Sequence, residues 1–305
     1  MSAAAPEPAD GLPAGLTTRP LAPSDSRAVF ELMAAQELAD VGEVVIEEAD
    51  LVADWQRPSH DLAASSVAVL DGERMVAYAE VDGERGDAAV HPDHRGRGIG
   101  TWLAHRMQDL ARRQGSRTIG MPVPEGSPGD RLLAALGYQV RWTSWVLELP
   151  PGAEVPPRPL PDRYTLRGAR EDELRACWTL LEDAFLEWSR RERESFKDWT
   201  ARVPDRPGFE PWHLRVVLDP HGDVVACAVV LLAGDCGYVD RLATRRDQRG
   251  RGLAQALLVD AFAQARVHGA TRSELATDSR TGALGLYERV GMVVTSTWVH
   301  RAIAL

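Results

Sequence analysis

With 305 residues, 44 % hydrophobic and 26 % charged, the chain has the composition of a soluble globular protein and room for two domains of ordinary size, which excludes a mainly disordered or fibrous state. A formal charge of −10, with 23 acidic against 13 basic residues in positions 1–150 and 22 against 22 in positions 151–305, excludes the basic footprint of broad nucleic-acid binding and suits a cationic or amine-bearing small molecule better. Cys177, Cys227 and Cys236 fall in no CxxC or ligand-like spacing, MSAAAPEPADGLPAGL carries no signal-peptide pattern, and no apolar run reaches membrane-spanning length, so a cytoplasmic protein without a membrane partner is expected.

Along the chain, LTTRPL (16–21) reads as a short strand and SDSRAVFELMAAQELA (24–39) as an amphipathic helix with Ser24 as N-cap. SSVAVLDGERMVAYAEV (65–81) predicts a hairpin turned at Asp71-Gly72, and GDAAVH (86–91) a further strand. The loop Arg95-Gly96-Arg97-Gly98-Ile99-Gly100 leads into a long helix, GTWLAHRMQDLARRQG, closed by Gly115. From Pro150 to Pro161, PPGAEVPPRPLP cannot hold a helix and predicts an extended linker, 151–161, between a domain 1–150 and a domain 162–305.

The second half repeats this course. YTLRGA is followed by EDELRACWTLLEDAF with Asp172 as N-cap, the hairpin HLRVVLDPHGDVVACAVVLL, the strand GYVDRLAT, the loop Arg249-Gly250-Arg251-Gly252-Leu253-Ala254, and the helix AQALLVDAFAQARVHG closed by Gly269. Gly98, Gly115 and Gly137 match Gly252, Gly269 and Gly291 at one offset of 154 positions. An ungapped offset of that length marks an internal duplication of whole domains rather than a solenoid.

In both loops the glycines remove side chains, so consecutive backbone amides can converge on one anion, and the helix that follows adds its positive end. A pyrophosphate is the natural occupant. No GxxxxGK[ST] and no GxGxxG in dinucleotide-binding context occur, which removes the two other common phosphate readers.

Strand, RxxGxG/A and helix together resemble the cofactor signature of the GNAT superfamily of N-acetyltransferases, which Arg95–Gly100 and Arg249–Ala254 both match. The second half adds a downstream block similar to that family's, ELATDSRTGALGLYERVGM, from Glu274 to Met292. Two such halves on one chain resemble the tandem layout of the mycothiol synthases. The resemblance implies an α/β (α+β) fold of two tandem domains, each a mostly antiparallel central sheet flanked by helices. It implies acetyl-CoA between two splayed strands, its pyrophosphate on Arg249, Gly250, Arg251, Gly252, Leu253 and Ala254 and its thioester arm along Leu242, Ala243 and Thr244. Ser279 stands where the family commonly has Asn. In the first half Val90 and Arg95, Gly96, Arg97, Gly98, Ile99 and Gly100 are the counterparts.

Acetyl transfer to an amine needs a base for the amine proton and an acid for the leaving thiolate. Tyr287 matches the family's tyrosine acid, although its position on a short amphipathic helix also suits a core aromatic. Its counterpart at the 154-residue offset is Leu133, which cannot give a proton, so the first domain is expected to be catalytically degenerate. Tyr238 and Asp240 share one strand face; Asp240 is the candidate base and Glu274 the reserve, each of which a salt bridge would also explain. Trp188, Trp199, Phe209 and Trp212 with Asp183 and Glu187 are candidates for an aromatic, acidic pocket that binds a small-molecule amine, with Tyr238 a further substrate-binding candidate, the alternative being helix packing. The histidines show no HxxxH or HxH pairing, so no metal is expected. The expected activity is acetyl-CoA-dependent N-acetylation of a small molecule's primary amine, by direct transfer in a ternary complex in the C-terminal domain, the chain being either a monomer that forms an internal pseudo-dimer or a homodimer. An acyl-CoA sensor without transfer and a protein N-acetyltransferase are the alternatives.

Overall fold

Asp71-Gly72 does turn its hairpin, because Gly72 takes the left-handed φ of +60° that such a turn demands. Around it the computed structural model, which describes residues 7–8 and 10–305, places β1 (Glu7–Pro8), β2 (Leu16–Arg19), α1 (Ser26–Asp40), α2 (Glu48–Trp55), α3 (Leu62–Ser65), β3 (Ser66–Asp71), β4 (Arg74–Asp82), β5 (Arg85–Val90), α4 (Ile99–Arg113), β6 (Thr118–Pro124), α5 (Pro128–Ala135) and β7 (Gln139–Glu148). There follow β8 (Thr165–Gly168), α6 (Leu174–Phe185), α7 (Phe196–Arg202), β9 (Leu214–Leu218), β10 (Val224–Ala233), β11 (Cys236–Thr244), α8 (Leu253–Val267), β12 (Arg272–Asp278), α9 (Leu284–Arg289) and β13 (Val293–Ala304). The fold is mixed α/β with mostly antiparallel pairing, as the sequence predicts. Among the described residues no helix is long and apolar enough to cross a membrane.

The chain forms two compact units, Met1–Thr143 with Trp298–Leu305, and Ser144–Thr297. In the first, β1 to β6 are neighbours in chain order, and the end of β13 completes the edge beside β6, from Trp298 opposite Pro124 to Ala304 opposite Thr118. In the second, the order is β12, β11, β10, β9, β8, and the end of β7 completes the edge of β12, from Ser144 opposite Asp278 to Glu148 opposite Glu274. The division therefore falls inside β7 and β13, where the sequence places it in the proline-rich stretch 151–161. That stretch belongs to the second unit: Val155 is buried, and Gln255 Nε2 donates to the Pro156 carbonyl at 2.7 Å.

Each sheet buries both faces. In the first unit α4 packs Leu103, Met107 and Leu110 on Val69, Val76 and Ile119, while α1 and α2 lay Val29, Leu32 and Trp55 against Tyr78 and Ala89. In the second, α8 packs Leu258 and Phe262 on Val230 and Val239, and α6 and α7 bring Cys177, Leu181 and Trp199 onto Leu214 and Val229. Trp199 is sealed at 0 % exposure; Trp199→Ala is expected to lower unfolding free energy by about 3–5 kcal/mol in denaturant titration, since the cavity it leaves cannot collapse fully.

The residues at the N-cap positions of α1 and α6 are Asp25 and Glu173, one later than the sequence predicts, and neither side chain caps its helix. Each reaches back instead, Asp25 accepting the Ala22 amide and Glu173 the Arg170 amide, both at 2.8 Å. Each carboxylate also takes a two-pronged arginine, Arg19 and Arg167 respectively, a demand that a serine could not meet and that local propensity does not register.

Candidate active site

Gly250 and Gly252 have φ of +77° and +82°, and Gly96 and Gly98 have +74° and +83°. The two loops are conformational twins, and both need glycine at these positions. Gly252 opens α8 and Gly98 opens α4 with no side-chain cap on either helix, which leaves first-turn amides for an anion. In the second unit the Thr244 hydroxyl at the end of β11 is buried without a hydrogen-bond partner. An orphaned donor beside an uncapped glycine cradle fits the phosphates and amide arm of an acyl-CoA.

The strands leading to the loops separate as such a ligand requires. β11 pairs with β12 in parallel only from Cys236 opposite Arg272 to Val239 opposite Leu275. At that point β11 bulges: Val230 faces Val239 and Val229 faces Arg241, so Asp240 is the extra residue. β5 and β6 also part, pairing only at Arg85 and Gly120, but β4 and β5 run in unbroken register from Ala77 opposite Val90 to Asp82 opposite Arg85. The bulge is thus a feature of the second unit that β5 lacks.

Tyr287, on α9, is 9 % exposed and packs in the cluster of Leu258, Ala261 and Leu275. Burial pushes its phenol up to about 12, so it keeps its proton across the neutral range. Asp240 is exposed and accepts from Arg241 Nε at 3.1 Å. Glu274 is buried and accepts from Arg272 Nη2; it lies opposite Tyr238, one residue inside the point where the strands part. That arginine and that depth set Glu274 within the paired part of the strands, whereas Asp240 directly follows Val239, the last residue of β11 paired with β12.

On the acceptor side the aromatic residues divide. Trp199 and Trp212 pack in the core, Trp212 stacked on His213 and His268 at 3.8 and 4.1 Å. Trp188 is half-buried, with the Arg280 guanidinium 4.8 Å above its ring, and Arg280 is held to Asp278 at 2.6 Å. Trp188 therefore meets the loop after β12, the same loop that carries exposed Ser279. Asp183 is taken by Arg193. Glu187 holds Arg249 in a two-pronged pair at 2.7 and 2.8 Å, and that guanidinium draws the Glu187 carboxyl below its ordinary value. Beside this pair a cavity of about 330 Å³ is lined by Arg175, Thr179, Thr244, Arg246 and Arg249. No motif marks Arg175 or Thr179 in the sequence, since no spacing connects α6 with the end of β11, and Arg246 lies just outside the loop motif.

The first unit has its own cavity of about 330 Å³, running from the glycine loop between the parted strands and lined by Val90, Gly98, Ile99, Ala104, Leu132 and Leu133. At the 154-residue offset Ala88, Ala104 and Leu133 become Leu242, Leu258 and Tyr287, so small side chains keep this cleft wide. Arg95 is held by Asp40 at 2.7 and 2.9 Å, the counterpart of the Arg249–Glu187 pair.

On the opposite sheet face, Glu80 lies directly across from Asp87. Burial, then the Asp87 charge, pushes the Glu80 carboxyl up to about 8, although Trp55 Nε1 donates to it at 2.8 Å. The folded state therefore keeps a proton that the unfolded chain releases near 4.5, and stability falls as pH rises from about 4.5 through 8. Glu80→Gln, neutral throughout, is expected to lose that fall, so its melting temperature gains on the unsubstituted protein between pH 5 and pH 8.

The profile of the acetyltransferase (GNAT) family matches twice, over residues 29–138 and 174–292. The mycothiol acetyltransferase of Salinispora arenicola is 30 % identical over 266 residues, 81 % of this chain and 82 % of that protein. A GCN5-related N-acetyltransferase from Sphaerobacter thermophilus superposes with a TM-score of 0.74 at 27 % identity over 96 % of both chains. A tandem GNAT protein from the clavulanic acid biosynthesis pathway gives 0.72 at 19 % identity over 95 % of this chain and 98 % of its own.

Proposed function

The chain belongs to the acetyltransferase (GNAT) family, and on that premise we propose that its second unit transfers an acetyl group from acetyl-CoA to the primary amine of a small molecule, directly and with both substrates bound. The observation that carries this reading is the bulge at Asp240, where β11 leaves β12 on the way to the glycine loop. The first unit shares the loop and has neither the bulge nor the tyrosine.

Acetyl-CoA supplies the acetyl group as an activated thioester. The first-turn amides of α8 and the Arg251 guanidinium hold its phosphates, and Thr244 Oγ1 and the free edge of β11 orient its arm. Asp240 takes the proton that an amine carries near neutral pH. Tyr287 Oη holds a proton against the leaving sulfur, kept there because its buried ring disfavours phenolate. Trp188, with Tyr238 on the strand face, offers an aromatic surface to the acceptor.

Thiol release from acetyl-CoA across an amine panel tests the reading, with the unacetylated form of mycothiol as the first acceptor because of the relatives' name; release with none of them would sink a small-amine acceptor. Asp240→Asn is expected to lower kcat about 10- to 100-fold at pH 7. The deficit should shrink toward pH 10, where the amine sheds its own proton. A deficit constant with pH would remove Asp240 as the base.

A second reading has one observation in its favour. The open cavity beside Gly98, with Leu133 at its end, suits an acyl-CoA held without transfer, so the first unit is proposed to bind cofactor and leave it intact.

A further inference from the structure

The proline-rich stretch is the one strong sequence feature that the activity does not use. It lies against the start of α8 and is pinned on both sides of the glycine loop. Upstream, Val155 is buried and Pro156 O accepts from Gln255. Downstream, Leu160 and Tyr164 pack with Leu253 and Leu257, and the Tyr164 hydroxyl donates to Gln248 Oε1 at 2.8 Å. Between these pins stands Arg158. A Cβ on Gly252 would lie 2.6 Å from Arg158 Cγ and 2.7 Å from its Nε, whereas a Cβ on Gly98 would meet nothing within 4 Å. Among the described residues the twin loops therefore differ in one respect: an arginine from outside the repeat lies along the second and none lies along the first.

The arginines around this loop are not equivalent. Arg249 is spent on Glu187, and Arg251 reaches only the Tyr164 hydroxyl at 3.5 Å. Among the described residues no carboxylate engages Arg158. An exposed guanidinium held at an anion cradle by a stiff backbone, with no acid to neutralise it, is poised for a phosphate, and proline limits the freedom it would otherwise lose on binding.

We propose that Arg158 is a cofactor-binding residue of the second unit, carried by the proline strap to the glycine loop, where its guanidinium binds the pyrophosphate of acyl-CoA. This rests on the reading of that loop as the acyl-CoA site. It makes the proline stretch part of the site and gives the second unit a phosphate contact that no described residue makes in the first.

The test is calorimetric titration of the full chain with acetyl-CoA and, in parallel, with S-acetylpantetheine, which has the thioester arm and no pyrophosphate. Arg158→Ala is expected to weaken one class of acetyl-CoA site about tenfold, to leave any second class unmoved, and to leave S-acetylpantetheine unaffected. Arg158→Lys should recover part of the loss, as a point charge without the fork. Unchanged or tighter acetyl-CoA binding by Arg158→Ala would overturn the proposal, the tighter case showing an obstruction instead of a ligand. Equal weakening of S-acetylpantetheine would overturn it in favour of a packing role. No acetyl-CoA binding by the unsubstituted protein would instead remove the reading of the loops themselves.

Discussion

Tyr287→Phe is expected to lower kcat about 100-fold, the range in which a positioned acid contributes, with acetyl-CoA affinity retained. The ring stays, so the packing on Leu258, Ala261 and Leu275 stays with it, and unfolding free energy near pH 7 should change by no more than about 1 kcal/mol. A purely structural tyrosine would leave turnover intact as well. The hydroxyl also carries a pH signature. Its pKa of about 12 in the fold stands above the ordinary 10.0, so the folded state holds a proton that the unfolded chain loses above pH 10. The stability present below that pH drains as pH rises toward 12, by about 3 kcal/mol for a shift of that size. A phenylalanine at this position has no proton to hold, so its stability stays level there and the two melting curves, close together near pH 7, should separate over that interval in favour of the variant. Catalysis, if Tyr287 is the acid, should show no alkaline limb from this group below about pH 11.

The duplication was legible because glycine is irreplaceable where φ is positive: Gly98, Gly252, Gly115, Gly269, Gly137 and Gly291 all take left-handed φ, and their spacing survives drift that has erased most other likeness between the halves. The hairpins and the helices α1, α4, α6 and α8 follow from turn chemistry and periodicity in the same way. The edges that β7 and β13 complete do not. WTSWV in β7 and TSTWV in β13 have the same β-branched and aromatic character, so local propensity cannot say which edge each strand completes; that depends on which sheet has an unpaired neighbour, a tertiary fact. The site was half legible for a related reason. Loop and tyrosine carry motifs, but Arg158 and Arg175 come to the site from segments whose separation in sequence has no fixed relation to it, and Arg246, three residues before Arg249, stands outside the motif. The acidic pocket expected of Asp183 and Glu187 is likewise altered by partners the sequence does not pair, Arg193 and Arg249.

Gly252→Glu is expected to abolish turnover and weaken acetyl-CoA binding in the second unit more than 100-fold, on the order of 3 kcal/mol or above. Three effects act in one direction. An L-residue at φ +82° strains the loop by about 1–2 kcal/mol; a carboxylate repels the pyrophosphate; and the same carboxylate, placed against Arg158, neutralises the nearest uncommitted guanidinium. Gly98→Glu meets the first two effects and no third, because no described residue lies over that loop. It should remove binding in the first unit and leave kcat within about twofold if the first unit only holds cofactor. The pair of variants therefore separates holding from transferring by titration and turnover together. Loss of turnover with Gly98→Glu alone would move catalysis to the first unit, where the acid would then have to come from a residue other than Leu133. Loss with either variant would mean that the two cofactor sites are coupled, with the first setting the competence of the second.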